Sequence, residues 1–273
     1  MSKISLIALD LDGTLLNSEK KISPRNRAAL SAAQAQGVKV VLTTGRPLKA
    51  MDFLLEELGT AGLKEEYTIT FNGGLVQRNN GEILSKVVLA AEDVATIHGE
   101  TARLGLPLDA ISEGTVFEIH AERKSLYSLY NPYLNFIETD FKDLPSTLSY
   151  NKCVTAVDQD FLDAAIKQIR PDLFQDYEIF KSREMLLEWC PKNVHKATGL
   201  EALASILGLE ADQVMACGDE ANDLSMIQWA GLGVAMGNAV PAVKEVAALV
   251  APVTNDQDAV AWAIENYVLK ESE

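Results

Sequence analysis

Apolar positions along this chain fall into two textures. In the first third they form short, nearly continuous runs separated by helical spacings. The run ISLIAL at 4–9 has the pattern of a strand covered on both faces. Ser23 and Pro24 then supply an N-cap and a first helical position, predicting a helix to about Gln36 that Gly37 closes. VKVVLTT at 38–44 reads as a second buried strand. Gly45, Arg46 and Pro47 open a second helix that Gly59 ends, and YTITF at 67–71 is a third strand stopped by Asn72, Gly73 and Gly74. This βαβαβ succession implies right-handed crossovers and a parallel, doubly wound sheet.

The same alternation resumes near Lys192. Helical spacing covers 196–207, a strand 214–217, a helix 222–230, a strand 232–236, a helix 240–247, a short strand 249–250 and a last helix 256–268. Between 83 and 191 polar and apolar positions alternate instead, as in TVFEI at 115–119 and CVTAV at 153–157. Half-buried alternation suits an antiparallel α+β layer with one solvated face. The expected organisation is an α/β core formed by 1–82 and 192–273, with 83–191 inserted as a second, α+β domain.

A length of 273 residues fits one large domain or one domain with a modest second one. Apolar residues at 48% and charged residues at 23% exclude a disordered chain. Against 39 acidic residues stand 24 basic ones, a net charge of −15. Such a chain has no overall attraction to nucleic acid or to an anionic membrane, and it repels small anions at long range. A phosphorylated substrate therefore needs a local cation. Cys153, Cys190 and Cys217 are far apart and without a Cys/His cluster, which fits buried thiols in a reducing compartment. No apolar run reaches the roughly 18 residues of a membrane span. Asp10 and Asp12 interrupt the apolar stretch at 4–16, unlike the core of a secretory leader. The expected setting is soluble and cytoplasmic.

Candidate chemistry lies where predicted strands end, the edge at which open parallel sheets bind ligands. Asp10, Leu11, Asp12, Gly13 and Thr14 follow the first strand, and two carboxylates so placed demand a cation or a shared proton. Gly218 and Asp219 follow the strand at 214–217, with Asn222 and Asp223 beginning the next helix. Asp10, Asp12 and Asp219 at one edge describe a site for a hard cation such as Mg²⁺, with Asp223 as a supporting acceptor. Thr43, Thr44, Gly45 and Arg46 join a strand to a helix N-terminus, a ready anion site, and Lys196 opens a helix where its charge can meet phosphate.

In this order, Asp10-x-Asp12-Gly13-Thr14, Thr44-Gly45-Arg46, Lys196 and Gly218-Asp219-x-x-Asn222-Asp223 resemble the four motifs of the haloacid dehalogenase-like hydrolases. The Thr-Gly-Arg-Pro form resembles the Cof-type branch, and the wider sequence is similar to its sugar-phosphate phosphatases. The resemblance spans essentially the whole chain. It implies a Rossmann-like core with a large inserted cap, Asp10 as nucleophile and Asp12 as general acid/base. It further implies Mg²⁺ held by Asp10, Asp219 and the Asp12 carbonyl with support from Asp223, and phosphate contacts from Leu11, Thr44, Gly45, Lys196 and Asn222. Ala197 and His195 depart from the residues usual beside that lysine. An acid at position 12 points within the family to a phosphatase or a phosphomutase. A non-catalytic module sensing a phosphorylated metabolite is the alternative of another class. Arg46, Asn72, Arg183 and Glu188 are nominated as substrate contacts. The expected partner is a small phosphorylated metabolite, and the expected state a monomer or weak homo-oligomer.

Overall fold

A computed structural model describes residues 3–270. The chain forms two compact units. The first contains the residues up to Arg46, Met51–Lys86 and those from His195 on; the second contains Pro47–Ala50 and Val87–Val194.

The first unit is built on an eight-stranded sheet of order β14-β13-β12-β1-β2-β3-β4-β5. At its centre is β1 (Leu6–Leu9), all four residues buried, as the continuous apolar run predicts. It pairs in parallel with β2 (Lys39–Thr43) on one side and β12 (Val214–Gly218) on the other. Beyond these lie β3 (Tyr67–Thr70), and on the far flank β13 (Leu232–Ala235) and β14 (Leu249–Val250), all parallel. The sheet is not parallel throughout. Residues 71–74 form a turn too short for a crossover, so β4 (Leu75–Arg78) returns antiparallel to β3, and β5 (Ile83–Lys86) follows in the same sense. Because β5 pairs with β4, the first unit runs past position 82, to Lys86, and resumes at His195.

Local signals explain the helices. Ser23 caps the helix Pro24–Ala35 by accepting from Asn26 N–H at 3.1 Å. The helix Lys196–Leu207 has the expected bounds, with the His195 side chain accepting at its start and Gly208 left-handed at its end. Leu200 and Leu203 on this helix pack with Leu6, Ala8, Val41 and Ile69 of the sheet. Three predicted helices are shorter than their patterns suggest. The first after β2 is a 3₁₀ turn, Leu48–Met51, leading into Asp52–Glu57. After β12, a 3₁₀ turn at Ala221–Asp223 precedes Leu224–Trp229, because the Asp223 carboxylate accepts from the backbone of 219 and 220 and holds that loop tight. The last is split into Asn255–Gln257 and Ala259–Tyr267 by Asp258, whose φ is 65°.

The second unit holds a six-stranded sheet of order β10-β11-β9-β6-β7-β8. Its strands are β6 (Leu108–Ser112), β7 (Thr115–Ile119), β8 (Asn135–Thr139), β9 (Lys152–Ala156), β10 (Tyr177–Arg183) and β11 (Leu186–Pro191). All neighbours are antiparallel except β7 and β8. Val94, Ile97, Leu162 and Ala165 from two helices pack with Leu108, Ala110, Phe117, Cys153 and Trp189 of the sheet. Among the described residues no helix is long and apolar enough to cross a membrane.

Candidate active site

Strand register places the candidate residues. Leu9 lies opposite Leu42 of β2 and Cys217 of β12, so the carboxyl ends of the three central strands stand level. Asp10, Thr43–Thr44 and Gly218–Asp219 therefore leave the sheet at one edge, and Asp10 N–H donates to Cys217 O at 3.1 Å. The left-handed turn at Gly13 (φ 84°) brings backbone so close to Asp219 that a Cβ there would collide with its carboxylate. Thr14 Oγ1 donates to Asp219 Oδ1 at 2.7 Å, joining the two ends of the chain across 205 positions.

Lys196 lies at the middle of this edge and is fully buried. Its Nζ donates to Asp10 Oδ1 and, at 2.5 Å, to Asp223 Oδ1. The other oxygen of Asp223 accepts from Asp219 N–H at 2.9 Å and Glu220 N–H at 3.0 Å. Asp223 thus anchors the lysine and the loop after β12. One oxygen from each of Asp10, Asp219 and Asp223 lies within 4.8 Å of the others.

Three buried carboxylates face one buried ammonium, so positive charge is short. Burial is the main cause that pushes the Asp10 carboxyl up to about 7; Lys196 opposes it, and the charges of Asp223 and Asp219 add to it. Burial likewise lifts Asp219 to about 6, against the hydrogen bond from Thr14 and with help from Asp223. Burial works against the Lys196 ammonium, but Asp10 and Asp223 outweigh it and raise its pKa. A hard divalent cation fits this donor set. It is all oxygen, it carries surplus negative charge, and Asp10 Oδ2 and Asp219 Oδ2 accept from no donor among the described residues.

Asp12 differs from its neighbours. Arg46 Nη2 donates to its Oδ2 at 2.5 Å and Lys20 Nζ to its Oδ1 at 2.8 Å, and the side chain is 40% exposed. Burial acts to raise this carboxyl, yet Arg46 and Lys20 together hold it below its ordinary value.

The turn at Thr44 and Gly45, expected to take an anion, is stitched to the sheet. Thr44 N–H donates to Ile69 O at 2.9 Å, and Thr44 Oγ1 accepts from Arg46 N–H at 3.2 Å. Asn72 N–H donates to Thr44 O at 2.9 Å, and Asn222 Nδ2 donates to Asn72 Oδ1 at 3.4 Å. Leu11 keeps its side chain wholly in the core. The predicted residues Asp10, Asp12, Thr44, Gly45, Arg46, Asn72, Lys196, Asp219, Asn222 and Asp223 all belong to the first unit. Arg183 and Glu188 belong to the second. There Glu188 accepts from Lys152 at 2.7 Å, both side chains being buried, and the Arg183 guanidinium lies 5.6 Å from the Tyr130 ring centre. Two contributors were not nominated as site residues from the sequence. Thr14 had a signal, since it closes the pentapeptide that carries Asp10 and Asp12. Lys20 had none, being one lysine of a loop.

A largely parallel α/β sheet whose central strands end in clustered carboxylates, a buried lysine and a Thr-Gly anion turn defines a Rossmann-like protein with a cation-accepting centre. Residues 7–264 match the family described as haloacid dehalogenase-like hydrolase, and the chain belongs to that family. Among curated proteins it is 34% identical over 268 residues to YxeH of Bacillus subtilis, a protein named only provisionally as a phosphatase, covering 97% of this chain and 98% of that one. It is 32% identical over 266 residues to the 5-amino-6-(5-phospho-D-ribitylamino)uracil phosphatase YcsE of the same organism, covering 97% and 96%. A haloacid dehalogenase-like hydrolase from Bacteroides thetaiotaomicron superposes with a TM-score of 0.84 at 35% identity, covering 96% of this chain and 99% of that one. The protein is a hydrolase of the phosphatase kind.

The surplus of negative charge sets how stability responds to pH and metal. In the fold, Asp10 and Asp219 keep their protons to about pH 7 and 6, whereas their ordinary value is 3.8. Without metal, stability should therefore fall as pH rises from about 4 to 7 and level off above. A bound cation offsets that loss, but at low pH it must first displace protons. Saturating Mg²⁺ should raise Tm by about 5–10 °C near pH 8 and by much less near pH 5. Thermal melts with and without Mg²⁺ at both pH values check this, and an equal shift at both would contradict it.

Proposed function

We propose that this enzyme is a Mg²⁺-dependent phosphatase that hydrolyses small phosphate monoesters through an aspartyl-phosphate on Asp10. The observation that carries the proposal is the convergence of Asp10, Asp219 and Asp223 around the buried Lys196 ammonium. A carboxylate shielded from water, beside a fixed cation, is suited to attack phosphorus in line once it is ionised. Asp10, Asp219 and the Asp12 carbonyl are the groups assigned to hold Mg²⁺, with Asp223 fixing the loop that carries Asp219. When bound, Mg²⁺ supplies charge neutralisation for the phosphoryl group and keeps Asp10 ionised.

The remaining roles follow from this chain's own groups. Lys196 holds one oxygen of Asp10 and presents positive charge to the phosphoryl oxygens. Backbone N–H groups at Leu11 and Gly45, the Thr44 hydroxyl and the Asn222 amide are assigned to the other phosphate oxygens. Asp12 gives its proton to the leaving alkoxide, and its carboxylate then takes one from the water that cleaves the aspartyl-phosphate. Arg46, which grips Asp12, is a positioning group for that carboxylate.

Arg183 and Glu188 are the residues we propose to bear on the choice of substrate. The name of YcsE describes a phosphate on a ribityl chain, and the sugar phosphates suggested by the sequence motifs share that chemistry. The substrate class proposed is therefore a phosphate ester on a polyhydroxylated carbon chain.

Asp10→Asn should lose at least about 10³-fold in turnover of any phosphate ester, since the amide cannot attack phosphorus. Its Tm in metal-free buffer should not fall, because one buried negative charge is removed. Steady-state phosphate release by this variant would refute the nucleophile assignment. Turnover by the unaltered enzyme should cease in excess chelator and return with Mg²⁺, and full activity of the dialysed enzyme would refute the cation site.

Removing Arg46 takes away a charge that lowers the Asp12 pKa. With an alkyl phosphate, whose leaving group needs a proton, the alkaline limb of kcat/KM reports loss of that proton from Asp12. In Arg46→Ala that limb should move to higher pH. A limb that stays in place, or moves down, would show that Arg46 does not set this acidity.

A further inference from the structure

The chain turns back after β3 through two consecutive non-glycine residues in the left-handed region, Phe71 at φ 52° and Asn72 at φ 55°, before Gly73 at φ 100°. Asparagine tolerates that conformation because its short amide can bond locally; phenylalanine does not, and such strain persists only where surrounding structure enforces it. Phe71 is 1% exposed and Asn72 6%.

What this turn touches suggests why it is kept. Asn72 N–H donates to Thr44 O at 2.9 Å, fixing the anion-binding turn from the side. The Asn72 amide stands against Gly45, where a Cβ would meet its Oδ1 at 3.0 Å. Its Oδ1 accepts from Asn222 Nδ2 at 3.4 Å, across 150 positions of sequence. One residue further, a Cβ on Gly73 would collide with His195 O, the carbonyl that precedes Lys196. A single strained turn thus contacts the segments carrying Thr44 and Gly45, Lys196, and Asn222. None of these contacts is needed to reverse the chain, since a two-residue hairpin turn would suffice.

We infer that Asn72 is a positioning residue for phosphate recognition, which holds the Asn222 amide and the Thr44–Gly45 turn in register, and is not a group that touches the substrate. This rests on the assignment of Thr44, Gly45 and Asn222 to phosphate in the proposed function. The bond to Asn222 is long for an amide pair. Asn222 is therefore oriented by it while one Nδ2 hydrogen remains for an incoming oxygen, since an amide carries two.

Glycine and alanine separate the two parts of this role. Asn72→Gly keeps the left-handed turn and removes the carboxamide with its Oδ1 acceptor and its contact at Gly45; Asn72→Ala removes the same group and also resists positive φ. With p-nitrophenyl phosphate as substrate, Asn72→Gly should raise KM by about five-fold or more and weaken inhibition by inorganic phosphate by a similar factor. Its kcat should change by less than about three-fold, as expected when binding to ground and transition states is lost alike. Asn72→Ala should show the same KM change together with a fall in Tm that Asn72→Gly lacks. The double variant Asn72→Gly/Asn222→Ala should lose less phosphate affinity than the two single losses combined.

Unchanged KM and phosphate inhibition in Asn72→Gly, or additive losses in the double variant, would overturn the positioning role. Equal melting of the Gly and Ala variants would overturn its backbone part. If the unaltered enzyme cleaved no phosphate ester, the phosphatase proposal would fail by itself. Calorimetric titration of unaltered enzyme and Asn72→Gly with inorganic phosphate in Mg²⁺ would then still decide the question for Asn72.

Discussion

The site depends on an ammonium group with no access to water. Lys196 stays charged only because Asp10 and Asp223 surround it, and those carboxylates tolerate burial only because it is there. Removing the ammonium would strand both carboxylates, whereas losing Asp10 alone leaves Asp223 to hold it. The arrangement is also unbalanced, because Asp219 adds a third carboxylate within reach. That imbalance has a direction. It disfavours ionisation of Asp10, the state a nucleophile requires, and it favours any entering divalent cation. In a chain of net charge −15, the same deficit would repel a phosphate dianion. A cation would therefore relieve two difficulties at once, the protonation of Asp10, the proposed nucleophile, and the repulsion of the proposed substrate.

Parallel pairing makes this charge cluster possible from residues so far apart. In a hairpin, neighbouring strands end at opposite edges; in β12-β1-β2 all three carboxyl ends face one way. Asp10, Thr44 and Asp219 need only follow their strands directly. Small residues then set the spacing. Gly13 admits the Asp219 carboxylate against the backbone, and Thr14 fixes it by a hydrogen bond. Much of the catalytic geometry is thus a consequence of strand register, and side-chain contacts refine it.

This explains which parts were legible in the sequence. β1, β2 and β12 are continuous apolar runs, so their ends, and the carboxylates there, could be located without coordinates. The bounds of Lys196–Leu207 were also readable, since its spacing and Gly208 agree. The antiparallel addition of β4 and β5 was not, because short strands after Asn-Gly-Gly carry little periodicity of their own. The helix expected at 222–230 begins late for a tertiary reason. Asp223 is committed to Lys196 and to two backbone N–H groups, and no local pattern records a partner 27 positions away. Lys20 is the extreme case: a loop lysine with φ 60°, like any surface lysine until Asp12 is placed beside it.

The two carboxylates of the Asp-x-Asp motif are tuned in opposite senses by surroundings only two residues apart. Asp10 is closed off from water and its proton is held too tightly; Asp12 stands at a partly open rim between Arg46 and Lys20 and its proton is held too loosely. Neither is suited to its proposed task as it stands, and the two need opposite corrections. A phosphate ester bound with a divalent cation brings positive charge to Asp10, where it is lacking. Weakening the hold of Arg46 and Lys20 on Asp12 would let its pKa rise toward the range in which a carboxylic acid can protonate an alkoxide. The proposed roles thus ask for opposite corrections at neighbouring positions, added positive charge at Asp10 and less of it at Asp12.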